Sequence, residues 1–528
     1  MNAVAGVLAA AALGAAQTPA YVHTAAWPLP IATLAALLLL LQRVAPGRAA
    51  LLGWAYGTGW LGVGVWWLFV SMNRYGGIAA PLAALAVLAL SAFLALYLGA
   101  ACAAYARWRS GAMARDLPLL VALWLLAELA RGELFTGFPW LASGYAQVDA
   151  PLAALAPWIG VYGIGAAAAA LALALATLLA SRGRRWQGAA AGAALLAALA
   201  LGGPTQHTRG TGSLQVTLLQ TNVAQDEKFA AERLPAALQA LAGELVAAPP
   251  GLVVAPETAI PLLPSQLEQV APGYLEALRA HFAAPGRAAL VGLPLGDFER
   301  GYTNSVLGLA GGPPGAAPYR YDKHHLVPFG EFIPKGFRWF TEAMSIPLGD
   351  FARGPLAAPS FDFAGQRLAP NICYEDLFGE KLARRFAVPA RAPTVMVNLS
   401  NIGWFGDTSA VPQHLNISRL RALEFQRPML RATNTGATAV VDHAGRVSAV
   451  LPPFTAGRLT ATVEGRAGLT PYARWAAPAG HAPLALLALL VFAAAALAGR
   501  SGAPGAAGTT GTTGAPGAGA ASAGAAGP

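Results

Sequence analysis

The sequence has little charge. Only 11% of its 528 residues are Asp, Glu, Lys or Arg, whereas 56% are hydrophobic, and the mean hydropathy is +0.50. Soluble domains contain about 25% charged residues, so this composition is too apolar for an ordinary soluble chain. The shortage of charge therefore predicts an integral membrane protein.

Cysteine is equally scarce. Cys102 lies in an apolar run and Cys373 in a distant polar region. Two isolated cysteines exclude a disulfide framework and lack the spacing of a metal cluster. Each cysteine must therefore be interpreted by itself.

Acidic residues are outnumbered, with 25 Asp and Glu against 35 Lys and Arg, and the formal net charge is +10. A basic chain can bind nucleic acid. Here, however, the arginines cluster in short gaps between apolar runs, where the positive-inside rule places them. We therefore expect membrane lipids, and no nucleic acid, as partners.

Apolar runs long enough to cross a hydrocarbon core of roughly 30 Å recur along the chain. Five carry no charge: 24–42, 50–70, 78–104, 152–180 and 482–499. Three more are shorter, rich in Ala or interrupted by charge: 3–16, 117–136 and 187–203. The run 3–16 resembles a secretory signal in length, but no Lys or Arg precedes it, which favours a retained helix. The sequence predicts about eight spans, seven in 1–203 and one at 482–499.

The basic residues of the short loops predict the orientation. One side has nine arginines: Arg43, Arg48, Arg107, Arg109, Arg115, Arg182, Arg184, Arg185 and Arg500. The other side has only Arg74 and, at the edge of a loop, Arg131. With a cytoplasmic N-terminus and seven preceding spans, the polar segment 204–481 emerges on the far side. In a bacterium we therefore expect a multi-pass inner-membrane protein with this segment in the periplasm.

Segment 213–464 has the alternating pattern of an α/β domain of globular size. Strand-like runs at 214–220, 252–255, 289–292 and 394–397 alternate with helix-like stretches near 227–247, 265–283, 377–387 and 411–425. Residues 500–528 are almost wholly Gly, Ala, Thr, Ser and Pro and cannot form a core, so we expect a disordered tail.

Cys373 follows the strand-like run 367–372 and precedes a helix-like stretch. A thiol at such a turn is presented to a pocket, as a nucleophile needs. A single cysteine is more often a small buried hydrophobe, although the acidic neighbours Glu375 and Asp376 weaken that interpretation. A thiolate nucleophile also needs a base and a positively charged partner nearby.

Two other segments supply those partners. Glu257, after the strand-like run 252–255, is either a general base or a solvated loop residue. Lys323 begins the segment 323–334 and can stabilise a developing negative charge. His324 and His325 can be interpreted as metal ligands, but no further His or Cys stands at a matching spacing. We therefore expect no metal and no cofactor.

Together these segments resemble the nitrilase superfamily, and specifically the bacterial apolipoprotein N-acyltransferases. The resemblance covers nearly everything from the first spans to residue 499. It rests on several long motifs in the family's order: 137–140, 255–261, 323–334, 372–375, 398–407, 413–414 and 421–436.

The resemblance implies an αββα sandwich on an eight-helix membrane base. It implies the following site: Glu257 as general base, Lys323 as electrostatic stabiliser and Cys373 as nucleophile, supported by Glu331, Tyr374 and Glu375. It also implies ping-pong acyl transfer, in which Cys373 takes a fatty acyl chain from a phospholipid and passes it to the N-terminal cysteine amine of a diacylglyceryl lipoprotein. We expect the enzyme to be a monomer.

Aromatic side chains are candidates for lipid contact. Phe229 stands where the family pattern has Trp, so a hydrophobic contact is retained but an indole N–H is not. Other candidates for an entry or lid are Phe329, Phe332, Trp339, Phe340, Met344, Ile346, Trp404 and Phe405. Each is equally compatible with a core position or a membrane-interface anchor.

Two other functions remain open at this point. The first is a tethered amidase or nitrile hydrolase that uses water as the acceptor, although one span would suffice for tethering. The second is a transporter or lipid-binding protein whose polar domain only binds. The five charge-free runs contain no ionisable residue, which argues against an ion-coupled pathway.

Overall fold

The computed structural model describes residues 2–180, 183, 185–202, 205–313, 317–336 and 350–501. All eight predicted apolar runs contain a helix. The helices are Ala3–Ala16, Pro28–Leu40, Pro46–Gly64, Ala80–Trp108, Met113–Glu133, Ala156–Ala180, Arg185–Gly202 and Ala482–Ser501. The predicted tail lies outside the described residues after Ser501.

Among the described residues, three helical segments are long and apolar enough to cross a membrane: Ala3–Tyr21, Ala80–Trp108 and Pro151–Ala180. A fourth span results if Pro471–Ala479 and Ala482–Ala498, which meet at a bend of 88°, count as one. Ala80–Trp108 exposes Leu82, Leu85 and Leu88, as expected for a helix that faces lipid tails. The number of eight spans stays a prediction.

Small residues allow the apolar helices to pack closely. A Cβ at Gly14 would lie 1.9 Å from the Tyr56 carbonyl oxygen, and one at Gly59 would lie 2.1 Å from that of Ala11. A Cβ at Gly53 would lie 2.6 Å from the sulfur of Cys102. Cys102 is therefore a buried packing residue of the helical region.

The described residues between Arg209 and Ala467 form two six-stranded sheets. Their strands are β1 Arg209–Gln220, β2 Gly251–Val254, β3 Arg287–Asp297, β4 Gly301–Ala310, β5 Tyr319–Asp322, β6 Phe361–Phe363, β7 Gln366–Ile372, β8 Val395–Ser400, β9 Met429–Thr433, β10 Ala439–Val441, β11 Val447–Val450 and β12 Gly457–Ala467. The strand orders are β12-β1-β2-β3-β4-β5 and β11-β10-β9-β8-β7-β6. The β1–β2–β3 and β7–β8–β9 pairings are parallel.

The two sheets pack face to face, with Leu218 and Leu252 of one sheet in the same core as Ile372 and Leu399 of the other. Helices cover both outer faces: Leu234–Ala247, Pro264–Val270 and Tyr274–Phe282 on the first sheet, and Gly379–Ala383, Ala410–Phe425 and Pro471–Ala479 on the second. The predicted αββα sandwich is confirmed.

Two predicted helical stretches differ in detail. The stretch near 227–247 becomes helical only at Leu234, with Pro235 in the first turn, because Pro is favoured where its missing N–H is not needed. The stretch near 265–283 is two helices, separated at Gly273 with φ of 73°. A left-handed residue cannot continue a right-handed helix.

The helix Ala410–Phe425 joins the sandwich to the helical region. The Gln413 side-chain oxygen accepts hydrogen bonds from the indoles of Trp67 and Trp140, at 3.1 and 2.8 Å. Glu424 accepts the backbone N–H of Val161 at 2.7 Å. These buried bonds fix how the second sheet sits on the apolar helices.

Candidate active site

Three strand ends bring Glu257, Lys323 and Cys373 together. Glu257 lies three residues after β2, Lys323 directly after β5 and Cys373 directly after β7. The Lys323 ammonium donates to Oε1 of Glu257 at 3.3 Å, and the charges of both residues act on the Cys373 thiol. The three residues selected from separate sequence segments therefore share one site.

Glu257 is buried, and three donors hold its carboxylate. Its Oε1 accepts the Asn304 amide at 2.7 Å as well as Lys323, and its Oε2 accepts the Asn401 backbone N–H at 2.8 Å. Burial by itself raises the pKa of the Glu257 carboxyl, but the charge of Lys323 and the bonds from Asn304 and Asn401 hold that pKa below its usual value. Glu257 is thus a fixed carboxylate rather than a solvated loop residue.

Lys323 is 1% exposed and lies between two carboxylates. Its Nζ is 3.3 Å from Glu257 Oε1 and 2.9 Å from Glu331 Oε1. Burial works to lower the pKa of Lys323, but Glu257 and Glu331 outweigh it and raise that pKa. An ammonium has three protons, so one remains for a third acceptor such as an oxyanion.

Cys373 occupies a strained turn. Its φ is 52°, a left-handed conformation that is uncommon for residues with a Cβ and is concentrated at functional sites. Burial and the Glu257 carboxylate raise the pKa of the Cys373 thiol to about 12, although Lys323 and Ser400 oppose the shift. At rest the sulfur is therefore a protonated thiol that needs a base.

Glu375 connects the turn of Cys373 to the segment of Lys323. Its Oε1 accepts the backbone N–H groups of His324 and His325 at 2.8 and 3.1 Å. Its Oε2 accepts the Tyr321 hydroxyl at 2.6 Å and the Ile372 N–H at 2.8 Å. One buried carboxylate thus fixes the distance between the two segments that carry Lys323 and Cys373.

Glu331 and Tyr374 make two further supporting contacts. Glu331 accepts Asn304 at 2.7 Å and Lys323 at 2.9 Å through Oε1, and the Val327 N–H at 2.8 Å through Oε2. Tyr374 donates its hydroxyl proton to the Gly137 carbonyl at 3.0 Å, in the helical region.

The carbonyl group of Cys373 has two donors that sequence reasoning missed. It accepts the Asn398 amide at 3.1 Å and lies 3.2 Å from Nε2 of His414. That Nε2 is also 2.9 Å from Asp376, while Nδ1 of His414 is 3.1 Å from the Arg431 guanidinium. A guanidinium only donates, so Nδ1 accepts and the proton of His414 lies on Nε2.

Lys228 is a second buried lysine that the sequence interpretation did not select. Its Nζ donates to the backbone carbonyl of Glu257 at 3.1 Å. Its neighbour Phe229 is a predicted lipid-contact residue. The sequence signal that could have found Lys228 is its position in a polar segment directly after a buried strand, β1.

The lipid-contact candidates are exposed to different degrees. Phe229 is 56% exposed, and Trp404 is 39% exposed with its ring edge-on to Tyr75 at 5.8 Å. Phe405 instead packs on Trp67 at 4.3 Å, which is a contact between the sandwich and the helical region. Trp339, Phe340, Met344 and Ile346 lie outside the described residues.

Each of the paired histidines directs its Nδ1 at a protein group. Nδ1 of His324 is 2.8 Å from the Gly354 carbonyl, and Nδ1 of His325 contacts Lys381. Elsewhere, His481 bridges two carboxylates, with Nδ1 2.8 Å from Glu133 and Nε2 3.4 Å from Glu380. Burial works to lower the pKa of His481, but the charges of Glu133 and Glu380 raise it. His481 thus links Glu133 of the helical region to Glu380 of the αββα sandwich.

A sandwich of two sheets with a buried Glu, a buried Lys and a half-buried Cys at its strand ends, fused to apolar helices, defines a membrane protein with a carbon–nitrogen hydrolase domain. The profile of the carbon–nitrogen hydrolase family matches residues 215–472, and that of the apolipoprotein N-acyltransferase N-terminal domain matches residues 9–174. The chain belongs to the apolipoprotein N-acyltransferase family, as the motifs predicted.

Curated relatives support this assignment. An apolipoprotein N-acyltransferase of Verminephrobacter eiseniae is 53% identical over 86% of this chain and 88% of its own length. One of Ralstonia nicotianae is 46% identical over 90% of each chain. Among solved structures, a CN-hydrolase superfamily protein from Xanthomonas campestris is similar at 21% identity and a TM-score of 0.35, over 48% of this chain and 91% of its own.

Proposed function

We propose that this protein transfers a fatty acyl chain from a membrane phospholipid to the N-terminal cysteine amine of diacylglyceryl lipoproteins, the last step of lipoprotein maturation. The proposal depends chiefly on one observation: the buried Glu257–Lys323 pair acts on the Cys373 thiol, whose neighbour Tyr374 is bonded to the helical region. A nucleophile next to the apolar helices can receive acyl chains without passing them through water, which would cost about 0.8 kcal/mol per CH₂.

In the first half-reaction Glu257 takes the thiol proton as the sulfur attacks the ester carbonyl. Because the pKa of Cys373 is raised to about 12, removal of its proton is unfavourable in isolation and must accompany bond formation. The third proton of Lys323, together with a backbone N–H, stabilises the tetrahedral oxyanion. The proton held by Glu257 then passes to the leaving oxygen, and a lysophospholipid departs.

In the second half-reaction the amine of the lipoprotein attacks the Cys373 thioester, and Glu257 returns a proton to the sulfur. The products are an amide and the free thiol. Glu331 and Glu375 hold the site in place, and neither half-reaction requires a cofactor. The expected lipid contacts of Phe229, Trp339 and Trp404 are part of this proposal.

The placement of the chain belongs to the same proposal. Residues 1–203 form the membrane helices, 204–481 the catalytic domain with its linkers, 482–499 the last span and 500–528 a tail. The enzyme acts as a monomer in the bacterial inner membrane with its catalytic domain in the periplasm, where the arginine distribution puts it.

Intact-mass analysis after incubation with phospholipid alone tests the mechanism. The wild type should gain one acyl group that hydroxylamine removes, and Cys373→Ser should gain no hydroxylamine-labile group. Cys102→Ala is the matched control and should acylate normally, because Cys102 is a packing residue in the core of the helical region. Release of free carboxylate without acyl transfer to an added lipopeptide amine would instead establish an amidase-like hydrolase.

A further inference from the structure

Lys228 is a buried lysine beside the proposed general base, Glu257. It is 7% exposed, and within the described part of the chain its Nζ forms no ion pair and donates only to the Glu257 carbonyl at 3.1 Å. Burying an ammonium without a counter-charge is costly, so such a group is usually retained for function. Lys323, in contrast, has two carboxylates.

Residues 221–233 form the loop that carries Lys228, and hydrogen bonds connect this loop to the candidate active site. The Asn401 amide donates to the Gln225 side-chain oxygen at 2.8 Å, and the backbone N–H of Asn401 donates to Glu257 at 2.8 Å. At the start of the loop, the N–H of Val223 bonds to the Asn434 side chain at 2.9 Å. Lys228 is therefore held at a set position beside Glu257.

The ionisable groups that act on Lys228 are Glu257 and Cys373. Burial, which outweighs the attraction of these two groups, lowers the pKa of Lys228 to about 8. Near neutral pH a part of the Lys228 population is thus an uncharged amine that can accept a proton.

In the second half-reaction the acceptor ammonium must lose two protons, and Glu257 transfers only one of them. An N-terminal amine has a pKa of about 8 and is largely an ammonium near neutral pH, so it must lose one proton before it can attack and a second after the C–N bond forms. Glu257 passes the second proton to the departing sulfur of Cys373. The first proton needs another acceptor.

We propose that Lys228 is the base that takes the first proton from the acceptor ammonium, which then attacks the Cys373 thioester. The C–N bond forms, the C–S bond breaks, and Lys228 returns its proton to water after the product leaves. This inference depends on the proposed acyl-transfer function, because it assigns a role within its second half-reaction.

Lys228→Arg is the decisive variant, since arginine retains the charge and can bond to the Glu257 carbonyl but cannot be deprotonated. We expect the full-length variant to form the acyl adduct within about threefold of the wild-type rate, and to transfer it to a diacylglyceryl lipopeptide roughly a hundredfold more slowly. Hydroxylamine, which is uncharged near neutral pH, should cleave the acyl adducts of the wild type and of Lys228→Arg at equal rates. The deficit should shrink as the pH rises above about 8, where solution deprotonates the acceptor.

Lys228→Met serves as the second variant and should show the same selective loss of transfer. Transfer by Lys228→Arg at the wild-type rate would overturn the proposal, as would an equal loss in both half-reactions or a deficit that does not change with pH. If the wild type forms no adduct on Cys373, the thioester mechanism itself fails, which is a separate and recognisable result.

Discussion

The hydroxyl of Tyr374 lies 3.0 Å from the carbonyl oxygen of Gly137. Tyr374 follows the nucleophile in the chain, and Gly137 belongs to the segment after the helix Met113–Glu133. This bond directly connects the turn that presents Cys373 to the region that meets the lipid. It fixes the position of the Cys373 turn relative to the segment that follows the helix Met113–Glu133.

Tyr374→Phe should weaken that connection. The buried Gly137 carbonyl loses its donor, which costs about 1–3 kcal/mol, and we expect slower acylation of Cys373 with a lower melting temperature. Tyr319→Phe is the matched control, because the Tyr319 hydroxyl bonds to the Pro359 carbonyl at 2.8 Å in an exposed position. Thermal unfolding and single-turnover acylation measure both effects, and identical behaviour of the two variants would contradict this role of Tyr374.

The pKa of the Cys373 thiol can be tested by alkylation. Because that pKa is raised to about 12, the alkylation rate of the resting enzyme should show no inflection near 8.5, the value of a free cysteine. Glu257→Gln removes a negative charge that raises the pKa of Cys373, so the inflection should move to lower pH. Mass-resolved alkylation at several pH values measures it, and a wild-type inflection near the free-cysteine value would contradict the described environment.

His414 should position the carbonyl of Cys373. Glutamine can place an amide donor where Nε2 of His414 stands, whereas the shorter asparagine cannot reach as far. We therefore expect His414→Gln to retain most of the acylation rate and His414→Asn to lose about tenfold or more, since small displacements of reacting groups are costly. Single-turnover acylation compares the two, and equal losses would mean that the donor has no specific role.

The orientation of the chain can be tested with single cysteines at exposed positions. Gln42→Cys lies in a loop on the arginine-rich side, and Gln206→Cys lies at the start of the catalytic domain. A membrane-impermeant maleimide applied to intact cells with a permeable outer membrane should label position 206, and should label position 42 only after the inner membrane is opened. The reverse pattern would overturn the predicted periplasmic placement.

Sequence alone was sufficient to predict the features that depend on residues close together in the chain. The apolar runs predicted the helices, since hydrophobicity over twenty residues is a property of the run itself. The strand-like runs before Glu257 and Cys373 predicted that both side chains stand at strand ends. Motif resemblance then identified the family and joined Glu257, Lys323 and Cys373 into one site.

Only the tertiary structure decided which groups surround that site. The Lys228–Glu257, Asn401–Glu257 and His414–Cys373 contacts join residues 29, 144 and 41 positions apart, and no local pattern encodes such distances. Sequence thus determined which elements form and which residues are candidates for the chemistry, whereas packing between distant segments determined their electrostatic surroundings, their burial and their partners.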